Sequence, residues 1–185
     1  MKLASQVLCR CTHARYIHNA SGKHRCTRSA ICMCRGYRPE ENLVEAIGIL
    51  KKYHPEVLVH LRSAKIVWIP IANYIAVYDR VEDSISIVDT ALRRSSADLA
   101  ITLYHECFHR AQNLRGEQVT SFESLLALEL DTYYAEIGFT ETLLKDNFPI
   151  DSLGNHVTWY DSYKNGTLEW QLRRTYGFLY SGVVV

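Results

Sequence analysis

A chain of 185 residues with 48% hydrophobic content has room for one sizeable core plus an appendage, and one enzyme domain fits it comfortably. Its longest apolar stretches, such as 66–71, stop far short of the roughly 20 residues a membrane helix needs, and residues 1–11 lack the apolar run of a signal peptide; neither a membrane span nor secretion is expected, and a reducing compartment, cytoplasmic or phage- or virion-associated, is. The net charge of +1 hides an asymmetry, because residues 1–38 carry eight Lys or Arg and no Asp or Glu, leaving 13 basic against 20 acidic residues in 39–185, a net of about −7.

Cysteine divides the chain in the same way. Cys9, Cys11, Cys26, Cys32 and Cys34 precede the boundary near Arg38 and Pro39, and only Cys107 follows it. Together with His13 and His18, the five cysteines offer more ligands than one zinc ion needs, in a segment too short to bury a core. Metal binding would supply its folding energy, so one or two structural zinc ions are expected. Disulfides are the competing explanation, weakened by the missing signal peptide. One or both of Cys9 and Cys11, His13 or His18, Cys26, and Cys32 or Cys34 make up the expected ligands, while His24 beside Arg25 reads as a surface residue. The segment loosely resembles small Cys/His zinc-binding modules of bacterial and phage proteins, although neither Cys-x-Cys pair has the two-residue zinc-knuckle spacing. Its basic residues suit phosphate contacts. With only Tyr16 and Tyr37 to stack on bases, docking or localisation is favoured over nucleic-acid recognition.

From Pro39 a helix is predicted, with Pro39 in its first turn, Glu40 and Glu41 at its positive end, and Leu43, Ile47 and Leu50 at helical spacing. A short helix over 55–61 follows. The period then changes, and 65–69, 74–78 and 84–89 read as three strands, the last two a hairpin. Ser95 or Ser96 caps a helix over 97–114 that Gly116 ends. The sequence Thr120-Ser121-Phe122-Glu123 is a capping-box pattern for a helix running to about Gly138. Residues 151–163 and 167–180 look partly helical and rich in aromatics, suited to covering the core. The fold class expected is α+β, with a small antiparallel or mixed sheet.

The chemistry concentrates at His105-Glu106-Cys107-Phe108-His109. Two histidines four apart on a helix share a face and can reach one ion at about 2.0–2.1 Å. A glutamate directly after the first stands beside the metal without binding it, placed to take a proton from a metal-activated water. The chain's own composition gives about 0.02 chance occurrences of this pattern, so coincidence is a weak explanation. On a helical wheel Thr102, His105, Glu106 and His109 share one arc, and Leu99, Leu103, Cys107, Ala111 and Leu114 occupy much of the other side; Arg110 does not fit this division. A core helix whose histidines bond to backbone is the alternative. Cys107 faces the apolar side and reads as a small core residue.

A catalytic zinc needs a third protein ligand. No third histidine follows closely, so the next helix must provide it. Phe122, Leu126, Leu130, Tyr133 and Ile137 define its buried face; Glu129 falls inside that face, and Asp131 points away. A carboxylate on an apolar face is costly unless paired or metal-bound, which selects Glu129. A buried ion pair with an arginine is the alternative for Glu129, and Glu136 is a rival ligand or an acceptor for a ligand imidazole.

Strands followed by an HExxH helix and then a helix with a glutamate ligand resemble the gluzincin branch of the zincin metallopeptidases over residues 65–138. The resemblance implies His105, His109 and Glu129 as ligands of a catalytic Zn²⁺ and Glu106 as general base in peptide-bond hydrolysis. It implies a peptide or protein substrate lying along an edge strand, 74–78 or 84–89. It also implies an oxyanion stabiliser, for which His156, Tyr160 and Tyr163 are available. Four positions after Glu129, where many relatives are acidic, this chain has Tyr133. A non-enzymatic, zinc-stabilised assembly component and a nucleic-acid-binding factor with a degenerate peptidase domain are the competing functions.

Overall fold

The computed structural model describes residues 39–69, 74–88 and 90–181, so the segment 1–38 with Cys9, Cys11, His13, His18, Cys26, Cys32 and Cys34 lies outside the described residues. What is described is an α+β fold, mostly helical, with a three-stranded mixed sheet. Helix α1 (Pro39–Tyr53) and helix α2 (Val57–Ser63) lead into strand β1 (Lys65–Ile69). Strands β2 (Ala76–Asp79) and β3 (Ser84–Val88) follow.

Strand β3 is central, in the order β1-β3-β2. It runs parallel to β1, from Lys65↔Ser84 to Ile69↔Val88, and antiparallel to β2, from Ala76↔Ile87 to Asp79↔Ser84. The expected hairpin is therefore present, starting two residues later than the sequence suggested. Its turn is built by Asp79, whose Oδ1 accepts the backbone N–H groups of Val81 and Glu82, and by Asp83 at φ 45°, a left-handed conformation that aspartate tolerates. All five residues of β3 are buried, as befits a strand flanked on both edges and covered by helices.

Helix α3 (Ser96–Leu114) starts at Ser95, whose side chain accepts the N–H of Asp98, and ends before Gly116 at φ 81°. It is not apolar on one side only. Thirteen of its residues are buried, on every face, because α1, α2, β2 and the following helix all pack against it. Arg110 thereby finds its place: it is 6% exposed, and its Nε and Nη2 donate to the two oxygens of Asp83 at 2.7 and 2.8 Å. Leu114, assigned to the apolar side by the wheel, is 60% exposed, since α3 has by then left the core.

Helix α4 (Phe122–Lys145) begins at Ser121. The box is closed by Ser124 rather than Glu123: Ser124 N–H donates to Ser121 Oγ at 3.1 Å, and Ser124 Oγ accepts Ser121 N–H at 2.9 Å. Glu123 turns outward to Arg173. The helix also runs past Gly138. A helical glycine costs about 1 kcal/mol, less than is gained by burying Phe139 and Leu143, both 1% exposed or less.

Two hydrophobic clusters result. The larger gathers Leu50, Leu58, Ile85, Ile87, Leu99, Leu103, Phe139 and Leu143 between α1, α2, the sheet, α3 and the far half of α4. The smaller joins Leu126, Tyr133 and Ile137 of α4 to Leu168 and Leu172 of helix α6 (Leu168–Ser181), with Trp159 and Tyr160 of helix α5 (His156–Lys164) packed on it. Along α4, between these clusters, runs a buried polar row, Glu129, Thr132, Glu136 and Thr140, that faces α3. Among the described residues no helix is long and apolar enough to cross a membrane.

Candidate metal centre

The α3–α4 interface brings together the residues the sequence singled out. His105 Nε2 and His109 Nε2 stand 3.1 Å apart. The Glu129 carboxylate closes the group, with Oε1 3.4 Å from His109 Nε2 and Oε2 3.8 Å from His105 Nε2. One ligand atom from each residue lies within 4.8 Å of the others. Among the described residues the partners of Glu129 are these imidazoles and Tyr176, not an arginine. Asp131 is exposed, as the wheel required.

Whether this trio fits a metal turns on the far sides of the rings. His105 Nδ1 lies 2.7 Å from Glu136 Oε2. His109 Nδ1 lies 2.9 Å from Gln112 Oε1, and the identity of that oxygen is fixed because Gln112 Nε2 donates to the carbonyl of Leu128 at 2.9 Å. Both neighbours accept only, so each imidazole carries a proton on Nδ1 and turns Nε2 inward, where it offers a lone pair whenever that nitrogen is unprotonated. A proton on His105 Nε2 satisfies this group in the metal-free chain; once that proton leaves, two lone pairs and a carboxylate face one another, an arrangement suited to a cation. Two nitrogens bound tetrahedrally at about 2.0–2.1 Å lie about 3.3 Å apart, close to the separation present. An N₂O donor set suits zinc.

Glu136 therefore accepts from a ligand imidazole and is not itself part of the trio. It does this from the third position beyond Tyr133, the place where the resemblance noted in the sequence would put an acid. Its second oxygen, Oε1, lies 2.7 Å from His156 Nδ1. His156 Nε2 is 3.1 Å from Asp98 Oδ1 and 3.3 Å from Thr102 Oγ1, and Asp98 also takes Arg94 Nη1 at 2.9 Å.

Burial and charge set the protonation of these groups in the metal-free chain. Burial alone would lower His156, but the Glu136 charge and its own hydrogen bonds to Asp98 and Glu136 raise it to about 9. Burial works against His105 in the same way, and its bond to Glu136 with the surrounding carboxylates raises it to about 9. Burial would raise Glu136, yet the two imidazoles hold it at about 2. Glu129 too is pressed upward by burial and ends below the usual carboxylate range through His109, His105 and Tyr176. Glu106 differs: burial pushes it above that range, Glu129 adds to the effect, and the histidines and the Tyr78 N–H offset it only partly.

Glu106 sits beside the trio and accepts the backbone N–H of Tyr78 at Oε2, 2.7 Å away. That bond shows which way β2 faces. Ile75 O accepts Val88 N–H at 2.9 Å, toward β3, so by alternation the backbone groups of Tyr78 and Ala76 point away from it. With β3 in the interior, 84–89 drops out as an edge strand. Among the described residues no strand pairs with the outer side of β2. A cavity of about 200 Å³ opens there, walled by Ala76, His105, Glu106, Tyr133, Trp159 and Tyr176, with Arg94, Thr102 and His156 also in its lining.

The aromatic and histidine candidates for oxyanion stabilisation fare differently. His156 lines the cavity, but both its nitrogens are taken up by carboxylates, so it has no N–H left to offer a substrate oxygen. Tyr160 does not line the cavity; it packs on the smaller core, with Lys164 Nζ 5.2 Å from its ring centre. Tyr163 is half exposed against Tyr134. Cys107 is 1% exposed and free, its thiol pushed up by burial to about 12, an inert core residue.

Sequence reading missed Gln112, Asp98 and Tyr176. Gln112 lies three residues after His109, a helical neighbour that spacing alone could have found. Tyr176, whose hydroxyl donates to Glu129 Oε2 at 2.7 Å, lies 47 residues from its partner and leaves no local signal. Comparison with family models, curated proteins and solved structures finds no match.

Proposed function

We propose that this chain is a zinc-dependent peptidase of the zincin type, gluzincin-like, in which His105, His109 and Glu129 hold the ion and Glu106 is the general base. The observation that carries this reading is the convergence of His105 Nε2, His109 Nε2 and the Glu129 carboxylate within 4.8 Å, with a buried glutamate beside them on a cavity wall. A purely structural centre has no use for that fourth group.

Zinc held there would supply Lewis-acid chemistry, polarising a carbonyl and lowering the pKa of a water to about 7. The remaining work falls to the chain. Glu136 and Gln112 fix the imidazoles with Nε2 inward, and Tyr176 fixes one oxygen of Glu129. Glu106, raised by burial, accepts a proton from the attacking water and returns it to the leaving amine; the Tyr78 N–H on Oε2 keeps its other oxygen turned to the reaction. The outward backbone of Ala76 offers an N–H and a C=O to an extended peptide, which would add to the sheet as a strand and bring one of its carbonyls toward the ion. Tyr133, Trp159 and Tyr176 wall the cavity that receives a substrate side chain.

The test is Glu106→Gln. The substituted side chain keeps the shape and cannot take a proton, so kcat/KM on a peptide substrate falls by about 10²- to 10⁴-fold while zinc content stays that of the wild type. Proteolysis that persists in this variant, or zinc that is lost with it, contradicts the role.

A further inference from the structure

We propose that His156 is a positioning residue for the metal centre: from the start of α5 it pins the Glu136 carboxylate, and Glu136 in turn pins the His105 imidazole. This rests on the metal reading above and names the part of that centre which lies two residues out from the ion.

Glu136 has one oxygen for each ring, Oε2 to His105 Nδ1 and Oε1 to His156 Nδ1, both at 2.7 Å. A carboxylate is planar, so one terminal torsion sets both contacts. Turning Glu136 to leave either ring breaks the other bond as well. His156 is itself fixed from two elements. Asp98 and Thr102 of α3 face its Nε2 at 3.1 and 3.3 Å, and Glu136 of α4 faces its Nδ1. Asp98 is held by Arg94 Nη1, at 2.9 and 3.1 Å from its two oxygens. It fits only because position 154 is glycine: at φ 57° a Cβ there would overlap the Asp98 carboxylate.

All three central members are buried, Asp98 at 5%, Glu136 at 2% and His156 at 9% exposure. Such a chain is costly unless every member is satisfied, and here each is. An apolar side chain at 156 would fill the space and let Glu136 choose its own rotamer. The orientation of His105 would then be left to Glu136 alone, and the outer partners of metal ligands are worth about 10- to 100-fold in affinity.

The experiment uses the full chain and reads zinc affinity by competition with a chromophoric chelator, and the visible spectrum of bound Co²⁺. Each is taken as the difference from His109→Ala, which isolates this centre from any ion held by the cysteine segment. His156→Gly is expected to bind zinc about 10- to 100-fold more weakly, to shift the Co²⁺ bands, and to recover both with millimolar imidazole entering the vacated space. An unchanged affinity and spectrum overturn the proposal, as does a loss that imidazole fails to restore in a folded variant. If His156→Gly does not fold, the nearly isosteric Asp98→Asn decides: several-fold weaker zinc binding supports the positioning role, and unaltered binding overturns it. Wild-type protein that shows no difference from His109→Ala sinks the metal reading itself, and this proposal with it.

Discussion

At the residue scale the centre depends on who holds each ligand as much as on the ligands. Tyr176 is the plainest case. Its hydroxyl is, among the described residues, the single neutral donor on Glu129, at 2.7 Å, and burial raises its pKa well above the ordinary value, with neighbouring Tyr133 and Glu129 adding to the shift. It is thus a donor at any pH the protein meets. Without it, one oxygen of a carboxylate 7% exposed would lose its bond, and the side chain would be freer to rotate off an ion held as proposed. Tyr176→Phe removes only that oxygen and keeps the ring on the smaller core. We expect zinc to bind about 10-fold more weakly with the unfolding midpoint of the metal-free protein little changed, measured by chelator competition and urea denaturation. Equal zinc affinity in the two proteins would assign Tyr176 to packing alone.

At the element scale α4 is the shared wall. Its near half faces α6 through Leu126, Tyr133 and Ile137, its far half enters the larger core through Phe139 and Leu143, and the polar row between them faces α3. Phe139 meets the rings of His54, Tyr104 and Tyr53 at 4.7, 5.2 and 6.1 Å between centroids, so Phe139→Ala should cost about 3–5 kcal/mol, read from urea denaturation, and also weaken zinc binding, because the helix that carries Glu129 and Glu136 loses its far anchor. A stability loss with zinc affinity untouched would mean the two halves of α4 act independently. The seven residues of α4 beyond Gly138 were not legible in the sequence for the same reason: propensity argued for a stop, and what continues the helix is burial against α1 and α3, a tertiary effect. What was legible was local. Ser95 before α3, the β2–β3 hairpin and the His105–Glu106–His109 face each follow from spacings of a few residues, and Glu129 followed from a carboxylate standing on an apolar arc. The parallel pairing of β1 with β3 and the positions of Asp98, His156 and Tyr176 around the centre were not, because each joins groups by contacts that no periodicity records; the Ser124 closure of the α4 cap is local, but the capping-box pattern favours a glutamate and so pointed to Glu123.

At the scale of the whole molecule the buried charges fix how stability varies with pH, and metal changes that profile. In the metal-free chain His156 is raised to about 9, burial opposing and Glu136 with Asp98 prevailing. A folded pKa above the unfolded value of about 6.5 means that its stabilisation is complete below that value and is lost as pH rises through about 9. His105 behaves alike. Glu136, held at about 2, has the opposite sign: its contribution is complete above its unfolded value of about 4.3 and is lost as pH falls through about 2. The metal-free protein should therefore be most stable between roughly pH 4.5 and 6.5 and lose stability on either side. Zinc bound as proposed would alter the alkaline limb, because the ion would take the place of the His105 proton at Nε2, so that deprotonation there would no longer cost folded stability; binding would instead release a proton and strengthen as pH rises. Urea midpoints followed by tryptophan fluorescence at pH 5, 7 and 9, with zinc and with a chelator, check both limbs. We expect the midpoint to fall from pH 7 to 9 in chelator and the stabilisation by zinc to be larger at pH 9 than at pH 5. A chelated protein whose midpoint does not change between pH 7 and 9 would show that His156 and His105 are not held as cations between their carboxylates.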